Sequence, residues 1–502
     1  MKNYKLLIFT TLIISGCSMC YELIISAVSS YLMGDTTLQY SITIGLYMCA
    51  MGLGSYISKY MKKNLFNCFV IVEIGVGIFG GISALSLFLA NLYLESYAIV
   101  MYAEIIIIGT FVGIEIPLLT RIIEEDNENL RLTLSSLFSI DYIGGLIGSI
   151  AFPLILLPQL GYFSTAFLTG TMNIIAATLI VFRYKDRIKN APVYKAIVCS
   201  LLCIMALGMF FSENISNYIE NGLYRDNVIY SEQTKYQRVV ITKHKDDLRL
   251  YIDGNVQFCS LDEYRYHEAL VHIPMSIAKK HDNVLVLGGG DGMAARELLK
   301  YENTHITLVD LDPEMIRICS ENPQISSLNN NSLTNDRLTI INTDAYKFLE
   351  DNTAKYDVII VDLPDPNNDS LNKLYTNVFY RLCANSLTED GIINVQSISP
   401  YYASKAFWCI NKTLESEGFN TAPYHLQVPA FGDWGFNLAS KQELDTTKFN
   451  FNVETKYLTN DNAPAMFVFG KDELSGRETA NVNSLSKPVL IQYYSDAVRN
   501  WD

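Results

Sequence analysis

Positive charge is scarce in this 502-residue sequence: 38 lysines and arginines stand against 52 aspartates and glutamates, a formal net charge of −14 with an isoelectric point near 5.0. That balance provides no electrostatic footprint for a phosphate backbone, so no nucleic acid is expected as a partner. Cysteine patterning is also missing from the second part of the chain. Cys259, Cys319, Cys383 and Cys409 are widely spaced and form no CxxC pair, which argues against a zinc site or a disulfide framework and fits a reducing compartment. No internal repeat is visible, so an inverted-repeat transporter is not supported. The length exceeds what one hydrophobic core usually fills, and at least two domains are expected.

Apolar sequence is abundant, and it is concentrated in residues 1–212. Seven segments, roughly 6–32, 38–58, 65–91, 97–120, 134–158, 162–182 and 192–212, reach the span of about 20 residues that crosses a bilayer. The start imitates a secretion signal, with Lys2, Lys5 and "ISGC" ending at Cys17, but the apolar run continues to Ala27 and six more spans follow. A multi-pass protein of the cell inner membrane is expected, with the lipid bilayer as a partner. The N-terminal lysines, Lys59, Lys62, Lys63, Arg121, Arg131, Arg183, Lys185, Arg187 and Lys189 put the N-terminus and the even-to-odd connections in the cytoplasm. Seven spans would then deliver the rest of the chain outside.

Glu22, Glu73, Glu104, Glu115 and Asp141 fall inside these spans, while Lys195, near a span end, is the clearest basic residue there. Carboxylates are costly in lipid unless paired or protonated, so a polar interior is expected. It would serve either as a passage or docking site for a cation, or as a set of interhelical hydrogen bonds. Pro117 in "VGIEIPLLTR" is expected to break its helix, and the glycines of "DYIGGLIGS" to allow close helix packing.

Past residue 235 the pattern changes. The alternation in "RVVIT" and "LRLYI" predicts antiparallel strands, with tight turns at Lys245-Asp246-Asp247 and Asp253-Gly254-Asn255. Residues 262–278 read as a helix with acids in its first turn. From 282 onward "NVLVLG", "HITLVDLD", "LTIINTD", "YDVIIVDLPDP" and "GIINVQS" are continuous apolar runs separated by helical segments, as buried parallel strands require. The fold class expected is an α-helical transmembrane bundle, then a small antiparallel β domain, then an α/β Rossmann-like domain of methyltransferase type.

Active groups of such sheets sit past the carboxyl ends of the strands, where Gly288–Asp291, Asp310, Asp312, Asp344, Asp362 and Asp365 fall. Three consecutive glycines, Gly288 to Gly290, suit close backbone approach to a ligand. Asp291 in that loop disfavours pyrophosphate and favours a cationic or neutral ligand. Asp310 is placed to accept ribose hydroxyls. Asp344 with Ala345 suits either the edge of an adenine or a helix N-cap. In "VDLPDP", Asp362 and Asp365 are three residues apart in a strand-end loop held by two prolines, a pair able to hold an ammonium and take its proton. Tyr266 and His267 lie in the preceding helix, as an opposite wall or as a packing aromatic and a surface residue.

The ordered motifs "YQRVV", "LYIDGNVQFCSLDEYRYHEALVH", "VLVLGGGDG", "LVDLDPEMI", "YDVIIVDLPDP", "LYTNVFYRL" and "WGFNLAS", spread over roughly residues 230–440, resemble the spermidine synthase family, the polyamine aminopropyltransferases. The hydrophobic N-terminal part and the tail "NVNSLSKPVLIQYY" are similar to a bacterial subgroup fused to a multi-span membrane domain. The resemblance implies a membrane domain over 1–212, a linker over 213–235, a β-hairpin part over 236–275, a catalytic domain over 276–445 and a packed tail over 446–502.

It further implies transfer of an aminopropyl group from decarboxylated S-adenosylmethionine, as co-substrate, to putrescine or a related amine. Spermidine and 5'-methylthioadenosine would be the products, with no metal, no other cofactor and a homodimer as the assembly. Gln237, Gly288, Gly290, Asp291, Asp310, Asp344 and Ala345 would bind the donor, and His267, Asp291, Asp362 and Asp365 the amine. Asp362, Asp365 and Tyr266 would carry the chemistry. A cytosolic donor conflicts with a catalytic part delivered outside.

The sequence departs from the family pattern at several points. Asp310 stands where a glutamate is usual, and Leu363-Pro364 where hydroxyl residues are common. Asn367-Asn368-Asp369 replaces a shorter apolar turn, and "VPAFGD" lacks a tyrosine often found before "WGF". Two other activities fit the same pattern. A methyltransferase on this fold would bind intact S-adenosylmethionine, and a polyamine sensor or transporter would bind spermidine without turnover.

Overall fold

The computed structural model describes residues 5–33, 36–94, 97–124, 130–224 and 226–499; Lys2 and the last three residues of the tail lie outside them. The described chain separates into two compact units, Met1–Val228 and Ile229–Asp502.

The first unit is helical: α1 (Lys5–Met33), α2 (Thr36–Ser58), α3 (Leu65–Tyr93), α4 (Tyr97–Glu124), α5 (Leu130–Ala151), α6 (Leu157–Arg183), α7 (Ala191–Phe210) and α8 (Ser212–Leu223). Among the described residues, six helical stretches are long and apolar enough to cross a membrane, as a multi-span membrane protein requires. One stretch, Leu134–Arg183, runs for 50 residues. At about 1.5 Å per residue it is more than twice as long as a bilayer core is thick, so it holds two of the seven expected segments. A π-helical turn over Phe152–Leu156 joins α5 to α6, and Gly161, at φ 69° and ψ −176°, breaks the helical path.

Pro117 does not end its helix, because α4 continues through it to Glu124. Arg121, one turn later, donates to the Pro117 carbonyl at 3.0 Å and to the Ser58 and Met61 carbonyls at the end of α2 at 2.8 and 3.0 Å. The glycine-rich stretch of α5 packs tightly as expected: a Cβ on Gly144 or Gly148 would run into the backbone of α1. The stretch from 213 to 235, expected as a connection, holds most of α8 and a strand.

The second unit begins with a four-stranded antiparallel sheet in the order β1 (Asn227–Gln233), β2 (Arg238–His244), β3 (Asp247–Ile252), β4 (Asn255–Cys259). After α9 (Glu263–Ile277) come β5 (Asn283–Gly288), α10 (Met293–Leu298), β6 (His305–Asp310), α11 (Pro313–Glu321), α12 (Pro323–Leu328), β7 (Leu338–Asn342), α13 (Ala345–Asp351) and β8 (Tyr356–Asp362). They are followed by α14 (Asp369–Asn372), α15 (Asn377–Ser386), β9 (Leu387–Gln396), α16 (Ser404–Ser416), β10 (Asn420–Val428), β11 (Gly432–Ser440) and α17 (Val489–Arg499).

The strands from β5 on form one seven-stranded sheet in the order β10-β11-β9-β8-β5-β6-β7. The five from β9 to β7 run parallel, and the β10–β11 hairpin is added antiparallel. This is the expected methyltransferase-type arrangement. Val284 and Val286 of β5 enter one core layer and Leu285 and Leu287 the other, which explains the unbroken apolar run. Strand order reverses between β5 and β8, where a crevice at the carboxyl edge is expected.

Candidate active site

That edge opens into a cavity of about 450 Å³, within the range of small-molecule sites. Every candidate from the soluble part lines it: Gln237, Tyr266, His267, Gly288, Gly290, Asp291, Asp310, Asp344, Ala345, Asp362 and Asp365. Their order follows the sheet. Asp344 and Ala345 lie past β7, Asp310 ends β6, Gly288 ends β5, Asp362 ends β8, and Gln396 ends β9. With strands about 4.8 Å apart, these positions form an elongated row.

At the β6 end, Asp310 accepts the Asp312 backbone N–H at 2.9 Å and the Gly290 N–H at 3.1 Å, one on each oxygen. A Cβ on Gly290 would lie 2.6 Å from the Asp310 carboxylate, so this approach requires glycine. Burial pushes the Asp310 carboxyl up to about 6, with Asp312 and Asp291 adding to the rise and both backbone donors opposing it. Asp312 accepts the Thr234 hydroxyl at 2.7 Å, and Thr234 in turn accepts the backbone N–H of Gln237, holding that loop against the cavity. Asp344 caps α13 through the Tyr346 and Lys347 N–H groups and pairs with Lys373 at 2.5 Å. Burial works upward on Asp344, but Lys373 and these donors hold it below its ordinary value. The capping alternative is therefore realised in a residue that also lines the cavity.

At the centre, the Tyr266 hydroxyl donates to Asp362 Oδ1 at 2.6 Å. Burial pushes Asp362 up to about 6; Asp291 adds to the rise, while His267 and Tyr266 oppose it. His267 is buried, unlike the surface alternative raised by its sequence position. Its Nδ1 donates to Glu263 Oε2 at 2.8 Å, and Glu263 is gripped by both terminal nitrogens of Arg296 at 2.9 Å. Burial works to lower His267, but the Glu263 carboxylate outweighs it and the net direction is up. This pair holds a proton on Nδ1. Asp291 Oδ1 accepts the Met293 N–H at 2.8 Å at the start of α10.

At the β9 end, Gln396 Nε2 donates to the Leu363 carbonyl at 2.6 Å and reaches Asp365 Oδ1 at 3.3 Å. The buried Tyr375 donates to the Leu363 and Pro364 carbonyls at 3.1 Å. Burial pushes Asp365 up to about 6, with Gln396 and Tyr494 opposing. Phe431 and Trp434 provide an aromatic wall, their ring centroids 5.1 Å apart. Glu263, Arg296, Tyr375, Gln396 and Tyr494 were given no site role from the sequence, although they lie within or just after the quoted stretches, because no local pattern shows which acid each one meets; Phe431 and Trp434 carry a trace in "FGDWGF".

Seven aspartates, Asp253, Asp291, Asp310, Asp312, Asp344, Asp362 and Asp365, line this space, and no lysine or arginine is among the described lining residues. Away from it, His425, Asp433 and Glu473 form a cluster of metal-ligating residue types. His425 there is engaged by Asp433 at 2.8 Å and the Val468 carbonyl at 3.0 Å.

In the helical unit Glu22, Glu73, Glu104 and Glu115 are buried and Asp141 half-buried. Asn173 donates to Glu73 at 3.1 Å and accepts the Tyr21 hydroxyl at 3.1 Å, linking α3, α6 and α1. Ser86 donates to Glu104, and the backbone carbonyl of Asp141 accepts from Ser15. One oxygen each of Glu73, Glu104 and Glu115 has no hydrogen-bond partner among the described residues.

Residues 263–451 match the family described as spermine/spermidine synthase domain. The chain is 39% identical to the polyamine aminopropyltransferase of Oceanobacillus iheyensis, with 100% of this chain and 99% of that protein covered. It is likewise 39% identical to the polyamine aminopropyltransferase of Leptospira interrogans, covering 99% of this chain and 98% of the other. Among solved structures, a spermidine synthase in complex with the transition state analogue AdoDATO is similar at 27% identity and a TM-score of 0.47, over 50% of this chain and 88% of that one. Identity of this order sustained from end to end shows that the chain belongs to the polyamine aminopropyltransferase family and is an enzyme of that class.

Proposed function

We propose that the cavity transfers the aminopropyl group of decarboxylated S-adenosylmethionine to putrescine, giving spermidine and 5'-methylthioadenosine. The observation that carries this reading is the lining itself: acids along the whole row with no lysine or arginine among the described lining residues suit a donor and an acceptor that are both cationic. Intact S-adenosylmethionine would bring a carboxylate toward Asp291 and be repelled, which disfavours the methyltransferase alternative.

In this assignment Asp310 accepts the ribose hydroxyls with the lone pairs its two backbone donors leave free. Gln237, Asp344 and Ala345 border the nucleoside, and Gly288 and Gly290 let it approach the backbone. Asp291 and His267 border the aminopropyl ammonium. The attacking amine sits at Asp362 and the far ammonium of the acceptor at Asp365. The amine nitrogen forms a bond to the terminal propyl carbon as the carbon–sulfur bond breaks; the electron pair neutralises the sulfonium, and the amine proton passes to Asp362. The sulfonium is already a good leaving group, so alignment and exclusion of water supply most of the acceleration.

Residues 1–212 are assigned as the membrane domain of a multi-pass protein of the cell inner membrane, fused to the catalytic part. A homodimer is proposed as the assembly. The test is to supply purified full-length protein with decarboxylated donor and a panel of diamines, quantifying methylthioadenosine and product together. Release of both in equal amounts is expected. Binding of donor and amine without release would instead favour the sensor reading, and turnover of intact S-adenosylmethionine the methyltransferase.

A further inference from the structure

The tail beyond the matched region ends in α17, and Tyr494 of that helix lines the same cavity. Its hydroxyl interacts with the carboxyl of Asp365. The position is firmly built. Tyr493 beside it is buried, and its hydroxyl accepts from Asn481 at 2.8 Å. Leu490, in the same helix, is fully buried and donates its N–H to Asn483 at 3.3 Å. Asn483 then donates to the carbonyl of Tyr375 at 3.1 Å and to Asn372 at 3.0 Å. Tyr375 is the residue whose hydroxyl holds the Leu363 and Pro364 carbonyls between Asp362 and Asp365. One continuous set of bonds thus joins the tail to the loop that carries the acidic pair.

Along the row at the sheet edge, Asp365 and Gln396 lie on the β9 side of Asp362, away from Asp310. A residue touching Asp365 therefore bears on the part of the cavity that the donor does not occupy. We propose that Tyr494 is the acceptor-specificity residue: its hydroxyl orients Asp365 toward the far ammonium of the amine, and its ring closes the cavity and sets the length of acceptor admitted. This rests on the aminopropyl-transfer reading for the identity of the acceptor, and deepens it. It also gives the tail a task, since it supplies a wall that the Rossmann-like core does not build by itself.

The test uses full-length protein and two variants, Tyr494→Phe and Tyr494→Ala. Putrescine binding is measured calorimetrically in the presence of saturating 5'-methylthioadenosine, and acceptor ranking is measured with putrescine, cadaverine and spermidine. Tyr494→Phe is expected to weaken putrescine binding about fivefold or more, with methylthioadenosine affinity unchanged. Tyr494→Ala is expected to raise kcat/KM for spermidine relative to putrescine by about tenfold or more. The proposal is overturned if both variants bind and rank amines as the parent does, or if they lose nucleoside and amine affinity in equal measure. A parent protein that binds putrescine but releases no methylthioadenosine would sink the transfer reaction, while the binding comparison would still judge Tyr494.

Discussion

Tyr266 donates a 2.6 Å hydrogen bond to Oδ1 of Asp362, joining the helix before the glycine loop to the end of β8 across the middle of the cavity. The bond leaves the second carboxylate oxygen for the amine and fixes its direction. Tyr266→Phe removes the hydroxyl and keeps the ring. A hydrogen bond to a charged group contributes about 1.5–3 kcal/mol, so kcat should fall roughly 10- to 100-fold with the KM for donor little changed. Steady-state kinetics with both substrates varied decides this; an unchanged kcat removes Tyr266 from the mechanism.

Asp310, Asp362 and Asp365 are all pushed up to about 6 by burial. A proton acceptor must be ionised, so kcat/KM for the amine should drop as pH falls through about 6. The stability effect has the opposite sign. These carboxyls hold a proton more tightly in the folded chain than at their ordinary 3.8, so their contribution to stability is present below about 3.8 and lost as pH rises through about 6. A bound dication offsets that loss. The thermal shift produced by putrescine with methylthioadenosine should therefore be larger at about pH 7.5 than at about pH 5. Equal shifts at both values would contradict the charge assignment.

Gly290→Ala places a methyl group against the Asp310 carboxylate, and overpacking of this kind costs about 1–3 kcal/mol. Methylthioadenosine affinity, measured by calorimetry, should fall roughly 10- to 100-fold. Undiminished affinity would mean that Asp310 does not hold the nucleoside.

Glu263 is buried between Arg296 and His267. Burial works upward on its carboxyl, yet its two partners hold it down at about 2. Arg296→Met leaves that charge without its guanidinium, a loss of about 3–5 kcal/mol for a buried pair broken on one side. The unfolding midpoint of the full-length protein in detergent should drop by several degrees. An unchanged midpoint would make the pair incidental.

Much of the second unit was legible because its strands are buried on both faces and read as unbroken apolar runs, and because the acids follow those runs directly. Local patterns also placed the β2–β3 and β3–β4 turns and the helix from 263. What was hidden depends on distance along the chain. Glu263 meets Arg296 only after α9 packs beside α10, and Tyr494, the last residue of the quoted tail stretch "NVNSLSKPVLIQYY", reaches Asp365 only once that tail has folded back onto the sheet edge. Pro117 misled because a proline removes one helical hydrogen bond and crowds the preceding turn, a local cost that need not end a helix of 28 residues, and α4 runs through it to Glu124. Residues 213–235 looked like a linker since their polarity hid the short amphipathic α8.

Every cysteine is free, and Cys259, Cys319, Cys383 and Cys409 are buried without a bridge. Independently of the thiols, the proposed reaction draws on a donor made in the cytosol, which calls for the catalytic part on that side. A C-terminal reporter active only in the cytoplasm is expected to give signal. This needs an even number of crossings, and the stretch Leu134–Arg183, broken at Gly161, is where the count is decided. Signal from an externally active reporter would instead uphold the basic-residue bias of seven full spans.

The central claim rests on Asp362 as proton acceptor, and Asp362→Asn tests it most directly because it keeps the shape and removes the charge. Full-length variant and parent are supplied with decarboxylated S-adenosylmethionine and putrescine, and methylthioadenosine release is timed at about pH 8. Loss of a positioned base should slow release about 100- to 10,000-fold, with methylthioadenosine still bound. Release at the parent rate would contradict the account.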